Sequence, residues 1–542
     1  MLKFGDALRH CERSEAISTI MKKLLLLFVM LNLFQHRVVA QVPAIEWQKC
    51  YGGTSGESVS DIQLTTDGGY IFVGGSGSID GDVTGNQGED DLWIVKLDDE
   101  GTIQWQKSLG GPGSESPVEV KQTFDGGYII AALTTANGGD VSGYHNNGWP
   151  MSTSYDGWVV KTDSVGIIDW QICLGGTGSS EMSTSVLQLA DSGYIVAGKV
   201  NSTDGNVTCL GHGNGDGWIV KLNTNGQITW QECYGGSGDE SFMTIQETSD
   251  GGFILGGNST SVDGDVTGNH GNTDYWIVKL DTLGFIEWQK SYGGIGSDVF
   301  RDIQQTTDGG YFITGNSRSP DGGDVTGHHG NSDDSWVVKT DSLGTIQWQK
   351  SLGGTNTEYT YSGIQTNDNG FLVAGVSFSN DGDVTGNHGA ADYWLIKLDT
   401  AGSIQWQKSL GGTAADWGQC VIQVNDEEYI VAGYTGSNDG DVTNNHGSID
   451  CWIIKLSNSL GTSVIDDLKV EISLFPNPAT TQLTITGYTP AYLKLCNTLG
   501  QTVAEATNTT TLLLGTLPQG LYVLQVFDAK GGLVKAEKVV KE

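Results

Sequence analysis

Five loops along the chain carry paired carboxylates that could hold a hard cation. They are Asp80 and Asp82, Asp263 and Asp265, Asp321 and Asp324, Asp381 and Asp383, and Asp439 and Asp441. Two related loops are poorer, Asp204-Gly205-Asn206 and Asp140 alone. Alternating oxygens around a glycine suit calcium, which gathers several oxygen ligands at about 2.3–2.6 Å. The spacing is not that of an EF-hand, and no bidentate Glu closes the loop. The competing reading is a set of Asx turns, in which Asp and Asn accept from their own backbone. Calcium is the one cofactor the sequence offers.

Histidine recurs at one position of these loops, at His145, His212, His270, His329, His388 and His446. Imidazole is a common transition-metal ligand. Equivalent positions in separate repeats cannot converge within about 2 Å of one ion, so a turn role is predicted. No G-x-S-x-G, H-E-x-x-H or phosphate-binding glycine loop occurs, and no Cys–His arrangement stands outside the repeats. The expectation is a protein that is not an enzyme. Of 16 Trp, fourteen fall at two fixed repeat positions. Trp149 and Trp417 break that pattern. Aromatics on a loop face suit stacking on sugars or other flat ligands, and burial beneath a loop is the alternative.

The elements that must position these residues repeat. A Trp stands at 47, 105, 170, 230, 288, 348 and 406, and another at 93, 158, 218, 276, 336, 394 and 452. Each unit offers four strand candidates, such as SDIQLTTD, YIFVGG, LWIVKLD and IQWQKSL, rich in β-branched and aromatic residues and bounded by Gly and Asp turns. Fixed-period repeats must stack to bury a core. Four short antiparallel strands repeated seven times predict an all-β, seven-bladed β-propeller. The chain starts with a lone fourth strand, IEWQKC, and the last unit stops after its third, CWIIKL. The N-terminal strand would therefore complete the last blade and leave no open edge. In that pairing Cys451 falls near Cys50, and a disulfide between them is expected.

Met21-Lys22-Lys23, the apolar run Leu24–Phe34 and the compact Val38-Val39-Ala40 read as an export signal with its start at Met21. Residues 1–40 form this region, 41–465 the repeats and 466–542 a further domain. The formal net charge is −36. Residues 1–40 carry +3, so the rest of the chain carries −39, nearly all on the repeats. Nucleic acid and anionic membranes, which need a basic footprint, are excluded as partners. No apolar segment beyond the signal is long enough to span a bilayer.

Residues 466–542 alternate apolar and polar positions, as strands of a small β-sandwich do. Phe475-Pro476-Asn477-Pro478-Ala479, Leu517-Pro518 with Gly520-Leu521-Tyr522, and the terminal Lys538-Val539-Val540-Lys541 closely resemble the C-terminal sorting domain of the type IX secretion system of Bacteroidetes. The resemblance implies passage to the periplasm, recognition by the outer-membrane machinery, and a secreted or cell-surface protein. It also implies that the Asp-Ser/Thr-apolar turns Asp163-Ser164-Val165, Asp281-Thr282-Leu283, Asp341-Ser342-Leu343 and Asp399-Thr400-Ala401 match the O-glycosylation sequence of that lineage. The repeats resemble propeller repeats of such secreted proteins, which carry no assigned activity. The expected function is a binding or interaction module for a glycan or surface protein. The alternatives are a polysaccharide hydrolase or lyase, and a structural surface protein. An enzyme would show non-repeat residues clustered at the mouth of a central channel.

Overall fold

The computed structural model describes residues 42–145, 154–177, 181–457, 473–486, 490–497, 501–527 and 533–542. Residues 1–40 and Trp149 lie outside the described residues. The chain divides into two compact units, Met1–Asn458 and Ser459–Glu542. The expected domain boundary at 465/466 falls in 458–472, also outside the described residues.

In the first unit the described residues form seven four-stranded antiparallel sheets and no helix. Six are built from consecutive strands. The seventh pairs Ala44–Tyr51 with Asp450–Ser457, followed by Glu428–Thr435 and Asp416–Gln423. The N-terminal strand therefore closes the last blade, as its sequence predicts. The parallel bridge between Gly56 and Ile449 occupies the repeat position of the bridges Thr273–Ser297 and Ala391–Ala415 between neighbouring blades. The junction between the chain ends is thus built like the others.

The repeat residues are mostly scaffold. The third strand, DLWIVKL in the first blade, is buried at all seven positions. Neighbouring blades cover both its faces, which explains an apolar run rather than an alternation. Its Trp is buried and its Nε1–H donates to the Gln of the fourth strand, as in Trp93 to Gln106 (2.9 Å) and Trp276 to Gln289 (3.1 Å). In the closing blade the same bond runs from Trp452 to Gln48, 404 residues apart in sequence (2.7 Å). The Trp of the fourth strand packs on an aromatic of the next blade, with ring centroids 5.8 Å apart for Trp105–Tyr128 and 5.7 Å for Trp288–Tyr311. The Lys of the third strand is buried and pairs with the Asp of the DGG turn, Lys96 with Asp67 at 3.0 Å.

The Cys50–Cys451 disulfide is not formed. Both thiols are free and buried. Cys50 lies opposite Trp452, and Cys451 lies opposite Tyr51. Adjacent positions on a strand point to opposite faces, so the two sulfurs enter different cores. Cys50 packs with Leu395 and Leu410 of one neighbouring blade, and Cys451 packs with Phe72 and Trp93 of the other. The expected register fails because each third-to-fourth hairpin carries a bulge, as between Lys397 and Leu398, which shifts every later pair.

A disulfide forms instead between Cys209, in the long loop of the third blade, and Cys233, in its fourth strand, with Cα atoms 5.6 Å apart. The bridge spans 24 residues. In the chain-entropy account a loop of that size contributes about 3 kcal/mol. Replacing both cysteines with serine should lower the unfolding free energy by about that amount, read from denaturant melts. An unchanged midpoint would show that the loop is held by its other bonds.

The second unit packs a three-stranded sheet, Ser473–Phe475, Gln482–Thr486 and Thr511–Leu513, with a four-stranded one, Tyr492–Asn497, Thr502–Thr507, Gly520–Phe527 and Leu533–Lys541. Leu483, Ile485, Leu493, Leu495, Leu524 and Val526 share one core. Their alternation along each strand is the pattern of a small sandwich.

Candidate functional site at the mouth of the central channel

The acidic loops act as latches. Asp80 Oδ1 accepts from the backbone N–H of Thr54 (2.8 Å), and Asp82 Oδ2 accepts from that of Gly52 (3.2 Å). Asp263 holds Ser237 and Asp265 holds Gly235. Asp381 and Asp383 hold Thr355 and Gly353, and Asp439 and Asp441 hold Thr413 and Gly411. Asp324 holds Gly293, while Asp321 accepts from Gly327 within its own loop. Each latch ties the long loop to the connection entering its own blade, so both lie on one face. The turn is tight enough to require glycine: Gly81 has φ +66°, and a Cβ there would meet the Gly52 carbonyl oxygen at 2.3 Å.

Histidine completes the loop. His270 and His388 each place Nδ1 on the buried Asp that opens the third strand, Asp274 (2.9 Å) and Asp392 (2.6 Å). Those carboxyls lie beside a second buried acid of the next blade; a Cβ on Gly411 would meet Asp416 and Asp392 at 2.6 and 2.8 Å. Burial raises both Asp392 and Asp416, the direction in which a carboxyl keeps its proton and can donate. Among the described residues no group of three or more His, Cys, Asp or Glu is placed to hold a metal ion. The loop carboxylates are latches across 26 to 31 residues, rather than the local Asx turns the sequence suggests, and Asp321 alone keeps its bond within its own loop.

The repeat is broken where the innermost strands meet. Asp61–Leu64, Glu115–Gln122, Met182–Gln188, Glu240–Glu247, Asp298–Gln305, Glu358–Gln365 and Asp416–Gln423 surround a cavity of about 390 Å³. One repeat position facing it reads Ser60, Val118, Thr184, Met243, Arg301, Tyr361 and Gln419. Innermost strands are sheet edges, whose backbone groups need partners. Side chains of the preceding blade supply them. Asp61 accepts from Val120 N–H (3.0 Å), Glu119 from Val186 N–H (2.7 Å), Ser185 from Ile245 N–H (3.2 Å) and Asp302 from Gly363 N–H (3.2 Å). Burial pushes the Asp61 carboxyl up to about 6, against the pull of Lys121, and pushes Asp302 up to about 7. Lys121 pairs with Glu119 at 2.9 Å.

Trp417 stands at the mouth. It lies not in a loop, as its sequence context suggests, but at the start of the innermost strand of the last blade. Its ring stacks on Tyr434 (6.0 Å, 11°) and Tyr359 (6.3 Å, 22°) and meets Phe378 edge-on (5.9 Å, 82°). Tyr361 lies 6.4 Å away on the channel side. All five rings are half-buried, so the group presents aromatic surface to solvent. Tyr359 and Phe378 also line an open hollow of about 410 Å³ with Asn356. The four partners of Trp417 carry no signal as a motif. They emerge only when the seven repeats are aligned and the positions that differ are kept.

In the second unit the motif residues divide into two groups. Asn477 Nδ2–H donates to the Lys538 carbonyl (2.7 Å), and its Oδ1 accepts from Val540 N–H (2.9 Å), binding the Pro476–Pro478 turn to the last strand. Tyr522 donates its hydroxyl to the Pro518 carbonyl (2.9 Å), next to Gly520. Phe475 and the Lys538 side chain are exposed.

No curated protein matches this chain. Among solved structures, a protein of unknown function from Bacteroides caccae is 12% identical over 64% of this chain and 97% of its own, with a TM-score of 0.35. A fungal alcohol oxidase of the AA5 family, in complex with copper, is 12% identical over 92% and 100%, with a TM-score of 0.42. The Pan2 WD40 domain of Neurospora crassa is 10% identical over 74% and 89%, with a TM-score of 0.40. At these scores none of the three carries an argument about this chain. The C-terminal unit is different: residues 473–542 match the model of the secretion system C-terminal sorting domain, so the chain bears a type IX export address and is a secreted or cell-surface β-propeller protein.

Proposed function

We propose that the propeller is an extracellular binding module that takes a carbohydrate on the aromatic platform around Trp417. The observation that carries this is the half-buried group of Trp417, Tyr359, Tyr361, Phe378 and Tyr434, where the sixth and seventh blades depart from the repeat. Flat apolar rings, pre-held by stacking, bind the C–H face of a sugar without ordering new side chains. A binding role is favoured because the acids of the channel, Asp61, Glu119 and Asp302, each accept from a backbone N–H of the neighbouring blade and serve the join between blades, while the platform at the mouth is built of aromatic rings.

A glycan array probed with the purified chain should give binding to a restricted set of oligosaccharides. Trp417→Ala should weaken the best of them by about ten-fold, because truncating a central aromatic anchor removes one to two kilocalories or more. Calcium should be varied in the same assay. Unchanged affinity in the Trp417 variant, with its melting curve intact, would remove the platform from the binding site.

A further inference from the structure

The chain beyond residue 40 contains two arginines, Arg301 and Arg318, and both belong to the fifth blade beside this platform. Arg318 is ion-paired with Asp333. Arg301 makes no ion pair and no hydrogen bond among the described residues, and its Nε is buried without a partner. Its guanidinium lies over the Tyr361 ring, 5.2 Å from the centroid. Tyr361 in turn adjoins Trp417. The sequence therefore leads from the platform, through one tyrosine, to a half-buried cation with no counter-ion.

That isolation needs explaining in a chain of net charge −36. Desolvating a guanidinium is costly, and a cation–π contact offsets only part of the cost. The nearest acid in sequence, Asp302, is turned to the backbone. Its oxygens accept from Ile303 N–H (2.8 Å) and Gly363 N–H (3.2 Å). Glu119 is held by Lys121 and by the third blade. Asp302 and Glu119 are thus engaged elsewhere, and the planar fork of Arg301 is left free. That fork matches a carboxylate or a sulfate through paired N–H donors.

We propose that the ligand is an acidic carbohydrate, with a sugar ring on Trp417 and its carboxylate or sulfate on the Arg301 guanidinium. The proposal rests on the carbohydrate-binding reading above. Tyr361 is the spacer that sets which residue of the oligosaccharide carries the charge. Arg301 lies on a strand that runs inward from the mouth, so the anion marks the inner end of the site.

Isothermal titration of the purified chain with a galacturonate hexamer, a sulfated galactan hexamer and a neutral galactan hexamer tests this. At low salt one acidic hexamer should bind about ten-fold more tightly than the neutral one, the worth of a charge-assisted hydrogen bond. Which of the two does so separates carboxylate from sulfate. The preference should shrink as salt is added, a readout that needs no variant. Arg301→Gln should bring the acidic hexamer to the affinity of the neutral one, and Arg301→Lys, which keeps the charge but not the fork, should recover only part of the preference. Equal affinities for all three hexamers, or a preference that survives Arg301→Gln, would overturn the acidic ligand and leave the carbohydrate reading standing. No binding to any hexamer, with a blank array, would remove both.

Discussion

Deleting residues 42–51 is expected to abolish the cooperative melting transition of the propeller. These residues supply the fourth strand of the last blade, and nothing else in the ring can replace it. Without them the strand Asp450–Ser457 becomes an open edge, with its backbone groups unpaired. Tyr51 and Cys50 leave two different cores, and Trp452 loses the Gln48 side-chain Oε1 that accepts from its indole. Burial of large side chains is worth about 1.5–3 kcal/mol each. With Trp47 and Ile45 half-buried as well, the loss is on the order of 10 kcal/mol, the size of a whole domain's stability. A permuted chain tests the cause. Joining the strand 44–51 after residue 457 through a hairpin turn restores an ordinary blade and should restore the transition. A deletion variant that melts within a few degrees of the parent would sink this account of closure.

Removing residues 473–542 is expected to abolish appearance of the protein outside the cell while leaving the propeller's melting transition in place. The sorting domain is recognised by the type IX machinery, and its strands form a compact unit separate from the ring. Its core of Leu483, Ile485, Leu493, Leu495, Leu524 and Val526 is closed on itself. Fractionation of a host that possesses the machinery should find the truncated chain retained in the periplasm. Extracellular recovery of the truncated chain would contradict the assignment, and loss of the transition would contradict the independence of the two units. Asn477→Ala separates folding from recognition further. It breaks both bonds that tie the turn to the last strand, so it should lower the stability of the sorting domain before it touches any exposed contact.

The architecture was legible because it is repeated. A Trp followed by Gln in one strand, and a Trp followed by Ile, Val or Leu in another, recur seven times at nearly the same spacing. The unpaired first and last strands then dictate ring closure. The scaffold roles of the repeat Trp and of the loop His follow the same logic. The export address was legible for another reason: its motif is short, contiguous and tied to a turn that Pro476, Asn477 and Pro478 define locally.

Register was not legible. A single bulge in each third-to-fourth hairpin moves Cys50 and Cys451 to opposite faces, and no residue in the hairpin announces it. Cys209 and Cys233 meet because a long loop folds back on its own blade, a contact set by the latch of Asn206 on Gly175 rather than by spacing. The acidic loops show the same limit. Their composition fits a cation as well as it fits an Asx turn, and only the folded chain shows that all of these carboxylates but Asp321 meet a backbone N–H of the connection entering the blade.

The candidate site lies furthest from the sequence. Tyr359, Tyr361, Phe378, Trp417 and Tyr434 come from two blades and four strands or loops, and Arg301 comes from a third. Local sequence determined the strands, their number and the way the ring closes, because side-chain period and turn chemistry act over a few residues. Only the tertiary structure decided which side chains converge, because the channel and its mouth exist solely where the innermost strands of all seven blades meet.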